Sequence, residues 1–292
     1  MHSSYWVELL HCSVRTIHGK YRTRILEAGS GPPLILLHGT GGHAENYVKN
    51  IAALAVHFRV VAMDFLWHGR SQTEGFEPEI LPPLVDQVVD VMNALDVDCA
   101  AVEGQSLGGW VAMQLALRHP ARVHRLVLTT PMGYAPAPGA IEGYVEPDWS
   151  ANLASSLEVL RNPSFDNVRS RMARILADPG KLTDEAIQVR QALYRDSALS
   201  QVQQEFLTHY LGGEAPRKHQ VTDDMAQNIR HPTLVYWGDK NRTPPSLGLR
   251  LSQQVRNGRF HCAKNTGHWA QFESAAEHNQ VVTDFLREPL PS

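Results

Sequence analysis

The chain has 292 residues, 43% of them hydrophobic, which is enough to bury a large core in one sizeable domain or two small ones. A formal net charge of −3 and the lack of any Lys/Arg run argue against nucleic acid or an anionic membrane as a partner. Three scattered cysteines, Cys12, Cys99 and Cys262, have neither disulfide-framework nor metal-ligand spacing and fit a reducing cytoplasm.

The opening Met1-His2-Ser3-Ser4-Tyr5-Trp6 has no charged stretch leading into an apolar one, and no apolar run nears the roughly 18 residues of a spanning helix. A soluble, unexported protein is expected. Two β-rich runs, Val7 to Ile17 and Tyr21 to Ala28, flank His18-Gly19-Lys20 and predict an antiparallel hairpin. Apolar runs Leu34 to Leu37 and Val60 to Met63 then lead into His38-Gly39-Thr40-Gly41-Gly42 and Asp64, each followed by a helical pattern. Helices over Pro83 to Leu95 and Leu107 to Arg118 alternate with short strands at Ala100-Ala101-Val102 and Leu126-Val127-Leu128. Such alternation predicts a mostly parallel sheet. Prolines and a glycine from Pro131 to Gly139 break the pattern, and a helix-rich polar stretch runs to about Asn228. Strands resume at Thr233 to Tyr236 and Gly258 to Cys262, before a last helix over Ala276 to Leu286. The expected organisation is a core of residues 1–132 and 229–292, with a helical cap inserted at 133–228.

Glu103-Gly104-Gln105-Ser106-Leu107-Gly108-Gly109 places Gly-x-Ser-x-Gly directly between a strand and a helix. A nucleophile on so sharp a turn needs small neighbours, and Gly104 and Gly108 supply them. The turn exposes the Ser106 hydroxyl and aims the Leu107 N–H, at a helix N-terminus, toward developing oxyanion charge. The second donor should come from the glycine-rich loop after an earlier strand, with the Thr40 N–H first and Gly41 second. A serine hydroxyl needs a base. Of fifteen histidines, His268 lies in Gly267-His268-Trp269-Ala270-Gln271-Phe272-Glu273, between the last strand and the last helix, where the order Ser, acid, His puts the base.

On these motifs the chain resembles the α/β-hydrolase superfamily along nearly its whole length. Within it, the segment 267–273, with tryptophan directly after the base, resembles the meta-cleavage-product hydrolases, which split C–C bonds in aromatic-ring degradation. The segment Leu182 to Arg190 resembles that group's cap segment ending in an arginine. The resemblance implies an α/β-hydrolase fold and an acidic 2-hydroxy-6-oxo-dienoate substrate. It implies that Arg190 binds the substrate carboxylate, aided by Trp269, Gln105 and Gly39, and that neither metal nor organic cofactor takes part. The oligomeric state stays open, a homodimer included.

The chain departs from the pattern at the third catalytic member. After Trp237-Gly238 the acid is expected three residues past the glycine, where Asn241 stands, while Asp239 lies two residues early. Either Asn241 supports His268 directly, or the loop shifts so that Asp239 reaches it. Trp67 replaces a small residue usual in its loop and is expected to narrow the pocket entrance. Alternative readings are a carboxylesterase or lactonase, a binding protein that kept the pocket, and a cofactor-free lyase or oxygenase working through His268.

Overall fold

The computed structural model describes residues 4–212 and 217–289; Met1-His2-Ser3 lie outside them. Helix α1 (Tyr5–Glu8) opens the described chain, with Ser4 as its N-cap. Here the expected strand from Val7 is corrected: Tyr5 is buried and its N–H donates to Glu185 at 2.7 Å, so the segment folds as a helical turn. The hairpin β1 (Ser13–His18) and β2 (Arg22–Ala28) follows, paired antiparallel with His18 opposite Arg22.

Next come β3 (Pro33–Leu37), α2 (Val48–Leu54), β4 (Arg59–Met63), α3 (Leu81–Ala94), β5 (Ala100–Gln105), α4 (Leu107–Arg118) and β6 (Val123–Thr129). After β6 the chain leaves the sheet through β7 (Tyr134–Ala135) and runs through α5 (Leu153–Arg161), α6 (Phe165–Ala173), α7 (Asp184–Tyr194) and α8 (Ser197–Gly212). β8 (Val221–Thr222) pairs with β7 and closes the base of this insertion. The chain then passes through α9 (Asp223–Ala226), β9 (Pro232–Gly238), α10 (Pro245–Gln254), β10 (Asn257–Ala263), α11 (Ala270–Glu273) and α12 (Ala275–Arg287).

Eight strands form one sheet in the order β1-β2-β4-β3-β5-β6-β9-β10, parallel from β4 to β10 and antiparallel at β1 and β2. Alternate side chains of its central strands enter two cores. Ile35, Leu37, Val61, Met63 and Val102 pack with Leu84, Val88, Val111 and Leu115 of α3 and α4. Leu34, Leu36, Val60, Ala62 and Ala101 pack with Ile51, Leu54, Val282 and Phe285 of α2 and α12 on the other side. A strand covered on both faces must be apolar at every position, which is why these strands read as unbroken apolar runs. Among the described residues no helix is long and apolar enough to cross a membrane.

This is an α/β-hydrolase fold, with the carboxyl ends of β3, β5, β9 and β10 delivering their loops to one edge of the sheet. Such an edge is where open α/β sheets carry ligand sites.

Candidate active site

Ser106 stands between β5 and α4 with φ +55° and ψ −114°, a strained conformation for a residue with a Cβ. Its backbone is held from three sides: its N–H donates to the Thr129 carbonyl at 3.1 Å, and its carbonyl accepts from Trp110 at 3.1 Å and Met132 at 3.0 Å. A methyl group at Gly104 would meet the Gly108 carbonyl oxygen at 2.1 Å, and one at Gly108 would meet that of Leu37 at 2.1 Å. The turn can close only with glycine at both places. Leu107 is the first residue of α4, so its N–H has no acceptor within the helix.

The loop after β3 is oriented by a buried histidine. The Phe65 N–H donates to His38 Nε2 at 3.1 Å, which leaves the ring proton on Nδ1, 2.7 Å from the Gly39 carbonyl oxygen. Burial, with His68 beside it, holds the His38 pKa well below the usual imidazole value, so the neutral tautomer persists. The Gly39 carbonyl also accepts from the Gly42 N–H at 2.9 Å. In a trans peptide the C=O and the next N–H point in opposite directions, so fixing the Gly39 oxygen fixes the direction of the Thr40 N–H.

His268 follows β10, and its N–H donates to Ile175 of the insertion at 2.8 Å. Its carbonyl accepts from Gln105 Nε2 at 3.1 Å and the Thr130 hydroxyl at 2.7 Å. Nδ1 lies 2.9 Å from Asn241 Oδ1. The Asn241 amide is itself fixed: Oδ1 accepts from the Arg242 N–H at 2.9 Å and Nδ2 donates to Thr243 at 3.0 Å. With only an acceptor facing it, His268 Nδ1 must carry the proton, which leaves the Nε2 lone pair free. Burial, reinforced by the guanidinium of Arg242, pushes the His268 pKa down to about 4. Asp239 is occupied elsewhere, accepting from the Thr266 N–H at 3.2 Å.

A cavity of about 170 Å³ lies between these loops and the insertion. Gly39, Thr40, Gln105 and Ser106 line it from the sheet side, and Arg190, His268 and Trp269 also face it. Gly41 and Leu107 are not among its lining residues. Arg190 is buried, with Nη1 donating to the Gly41 carbonyl and Nη2 to Asn46 Oδ1 at 2.8 Å, while its Nε has no partner. The Asn46 carbonyl accepts from Trp269 Nε1 at 3.2 Å, so Asn46 joins Arg190 to Trp269. Burial would raise the phenol of Tyr194, but Arg171 and Arg190 outweigh it and hold the group below its ordinary value. Trp67 corrects an expectation: it does not line the cavity but is buried against Phe76 and Phe206, at ring-centroid distances of 5.0 and 6.2 Å.

Sequence reasoning missed Asn46, Arg171, Arg174 and Arg242 as cavity residues, and the part played by Glu273. The Glu273 carboxylate accepts from the N–H groups of Gly267, Ala177 and Asp178 at 2.6, 3.1 and 2.7 Å, tying the loop of His268 to the insertion. Its mark in the sequence is its place five residues after His268.

The model of the α/β hydrolase fold family matches residues 32–275, and the chain belongs to that family. It is a hydrolase, and within the family it resembles the meta-cleavage-product hydrolases. It is 32% identical over 283 residues to a 2-hydroxy-6-oxononadienedioate/2-hydroxy-6-oxononatrienedioate hydrolase of Cupriavidus pinatubonensis, covering 91% of each chain. It is 31% identical over 277 residues to a 2-hydroxymuconate semialdehyde hydrolase of a Pseudomonas species, again covering 91% of each. Among solved structures, a mutant of the meta-cleavage product hydrolase CumD superposes with a TM-score of 0.79 at 25% identity, over 96% of this chain and 100% of that one.

Proposed function

We propose that the protein hydrolyses the C–C bond next to the distal ketone of a 2-hydroxy-6-oxo-dienoate, with Ser106 as nucleophile, His268 as base and Asn241 as the group that sets the tautomer of His268. The observation that carries this reading is that Ser106, His268 and the buried Arg190 face one cavity. The names of the relatives supply the substrate class. A carboxylate near Arg190 would sit beside a desolvated guanidinium whose Nε lacks a partner, and the rest of the substrate would extend toward Ser106.

The dienol first becomes the 2,6-diketone, its C5 taking a proton through His268. Ser106 Oγ then attacks C6 while its proton passes to His268 Nε2, and the oxyanion is held by the N–H groups of Thr40 and Leu107. The C5–C6 bond breaks, its electron pair is delocalised into the conjugated ketone, and the resulting dienolate takes the proton from His268 and leaves as the 2-hydroxydienoate, which returns His268 to its neutral form. Water, deprotonated by His268, cleaves the acyl-enzyme and frees the carboxylic acid. At neutral pH a base with a pKa near 4 is already unprotonated. The cost falls on the imidazolium of the transition state, which Asn241 cannot stabilise by charge.

The test is to follow the loss of absorbance of a yellow dienolate alongside hydrolysis of a neutral aryl ester, for the wild type and Arg190→Gln. The variant is expected to lose about 100-fold on the dienolate and much less on the ester, as befits removal of a charge-assisted contact. Equal losses would remove Arg190 from carboxylate binding. A wild type that cleaves only the ester would make the protein an esterase.

A further inference from the structure

Among the described residues, four guanidinium groups, those of Arg171, Arg174, Arg190 and Arg242, line the cavity, and no Asp or Glu does. Elsewhere in the fold arginines find carboxylates, as Arg24 does with Glu45, Arg59 with Glu27 and Arg250 with Asp223. Among the described residues none of the four makes an ion pair within 4.0 Å. Their contacts are with neutral acceptors: Arg171 with the Ser156 carbonyl at 3.4 Å, Arg174 with the Ser155 hydroxyl at 3.0 Å, and Arg242 with Asn152 Oδ1 at 3.4 Å. Partial desolvation together with the charges of Arg171 and Arg242 lowers the pKa of Arg174, so these groups repel one another.

The four divide by position. Arg190 and Arg171 converge on Tyr194 and Gly41, Arg190 through hydrogen bonds and Arg171 with its charge 5.7 Å from the Tyr194 ring centre. Arg174 and Arg242 are exposed and lie on the side of the base: Arg242 follows Asn241, and Arg174 precedes Ile175, whose carbonyl holds the His268 N–H. One carboxylate at Arg190 leaves this second pair without a counter-charge.

We propose that Arg174 and Arg242 form a second anion site, which holds a carboxylate on the acyl end of the substrate, so that the preferred substrate is a dienedioate rather than a dienoate ending in an alkyl or aryl group. The inference rests on the C–C hydrolase reading above and adds the identity of the distal substituent. A carboxylate two methylenes beyond the ketone would lie on the part of the substrate retained on Ser106 and leave as succinate. Both arginines being exposed, they also attract the dianion from solution.

The experiment compares kcat/KM for 2-hydroxy-6-oxonona-2,4-dienedioate with that for 2-hydroxy-6-oxohepta-2,4-dienoate, in the wild type, Arg174→Gln and Arg242→Gln, at low and high salt. The wild type should prefer the dienedioate, and each variant should lower the ratio of the two values by about 10- to 100-fold, chiefly through KM for the dienedioate. High salt should shrink the wild-type preference and have less effect in the variants. A wild-type preference for the heptadienoate, or variants in which both substrates fall equally, would overturn the proposal while leaving the C–C hydrolase reading intact. If the wild type consumes neither substrate, both readings fall together.

Discussion

Replacing Asn241 by Asp puts a full negative charge where a neutral amide oxygen now lies 2.9 Å from His268 Nδ1. The carboxylate can keep the acceptor role toward the Arg242 N–H and can accept from Thr243, whose oxygen is 3.0 Å away, so the loop has no reason to move. At an effective dielectric of about 20, a charge pair roughly 4 Å apart is worth about 4 kcal/mol. At about 1.4 kcal/mol per pKa unit this lifts the imidazole by roughly 3 units, from about 4 to about 7. The base must be neutral to act, so the acid limb of kcat/KM should sit near pH 4 in the wild type and near pH 7 in the variant. Above the limb the variant should turn over faster, since the converse Asp-to-Asn change in a serine protease costs about 10⁴ in kcat. Initial rates from pH 4 to 9 read both effects. An acid limb at the same pH in both proteins would refute the electrostatic argument.

Further outcomes follow from the same geometry. Ser106→Ala should lower kcat on the dienolate by about 10³-fold or more while leaving the folded protein intact, measured by stopped-flow decay and thermal unfolding. Gly104→Ala forces a methyl group against a carbonyl oxygen 2.1 Å away, and should destabilise the fold by on the order of 3 kcal/mol with loss of activity, read by urea unfolding and turnover. Glu273→Ala strips three N–H groups of their acceptor and should cost about 3 kcal/mol in the same unfolding assay, with the insertion exchanging amide hydrogens faster. His38, His43, His68 and His268 are all held neutral below the usual imidazole pKa, His68 and His268 down to about 4. The unfolded chain therefore binds more protons than the folded one between pH 6.5 and 4. Stability should fall with falling pH in that window, by up to about 1.4 kcal/mol per pH unit for each histidine, as urea midpoints would show.

The parts of the site legible in the sequence are those where chemistry dictates spacing. Gly104 and Gly108 must flank Ser106 because backbone atoms come within 2.1 Å of where side chains would be, and that constraint shows as a motif. The central strands were legible because both faces are covered. The first strand begins six residues later than its composition suggests: Val7 and its neighbours have strand-like composition, whereas the burial of Tyr5 and the contact with Glu185 that bend them into a helix are tertiary. Arg171, Arg174 and Arg242 could not be told from solvated arginines. Which way a helical or loop arginine points depends on how the insertion packs over the sheet, and no local pattern records that. Trp67 was misplaced for the same reason: its loop position suggested the entrance, while Phe76 and Phe206 bury it.

The central claim is that Ser106 and His268 cleave a C–C bond in an acidic dienoate. It is tested most directly by mixing the purified protein with 2-hydroxy-6-oxonona-2,4-dienedioate and identifying the products as the yellow colour decays. Stoichiometric succinate and 2-hydroxypenta-2,4-dienoate are expected from the wild type and neither from Ser106→Ala. Undiminished colour with the wild type on both this dienedioate and 2-hydroxy-6-oxohepta-2,4-dienoate, or equal product from Ser106→Ala, would contradict it.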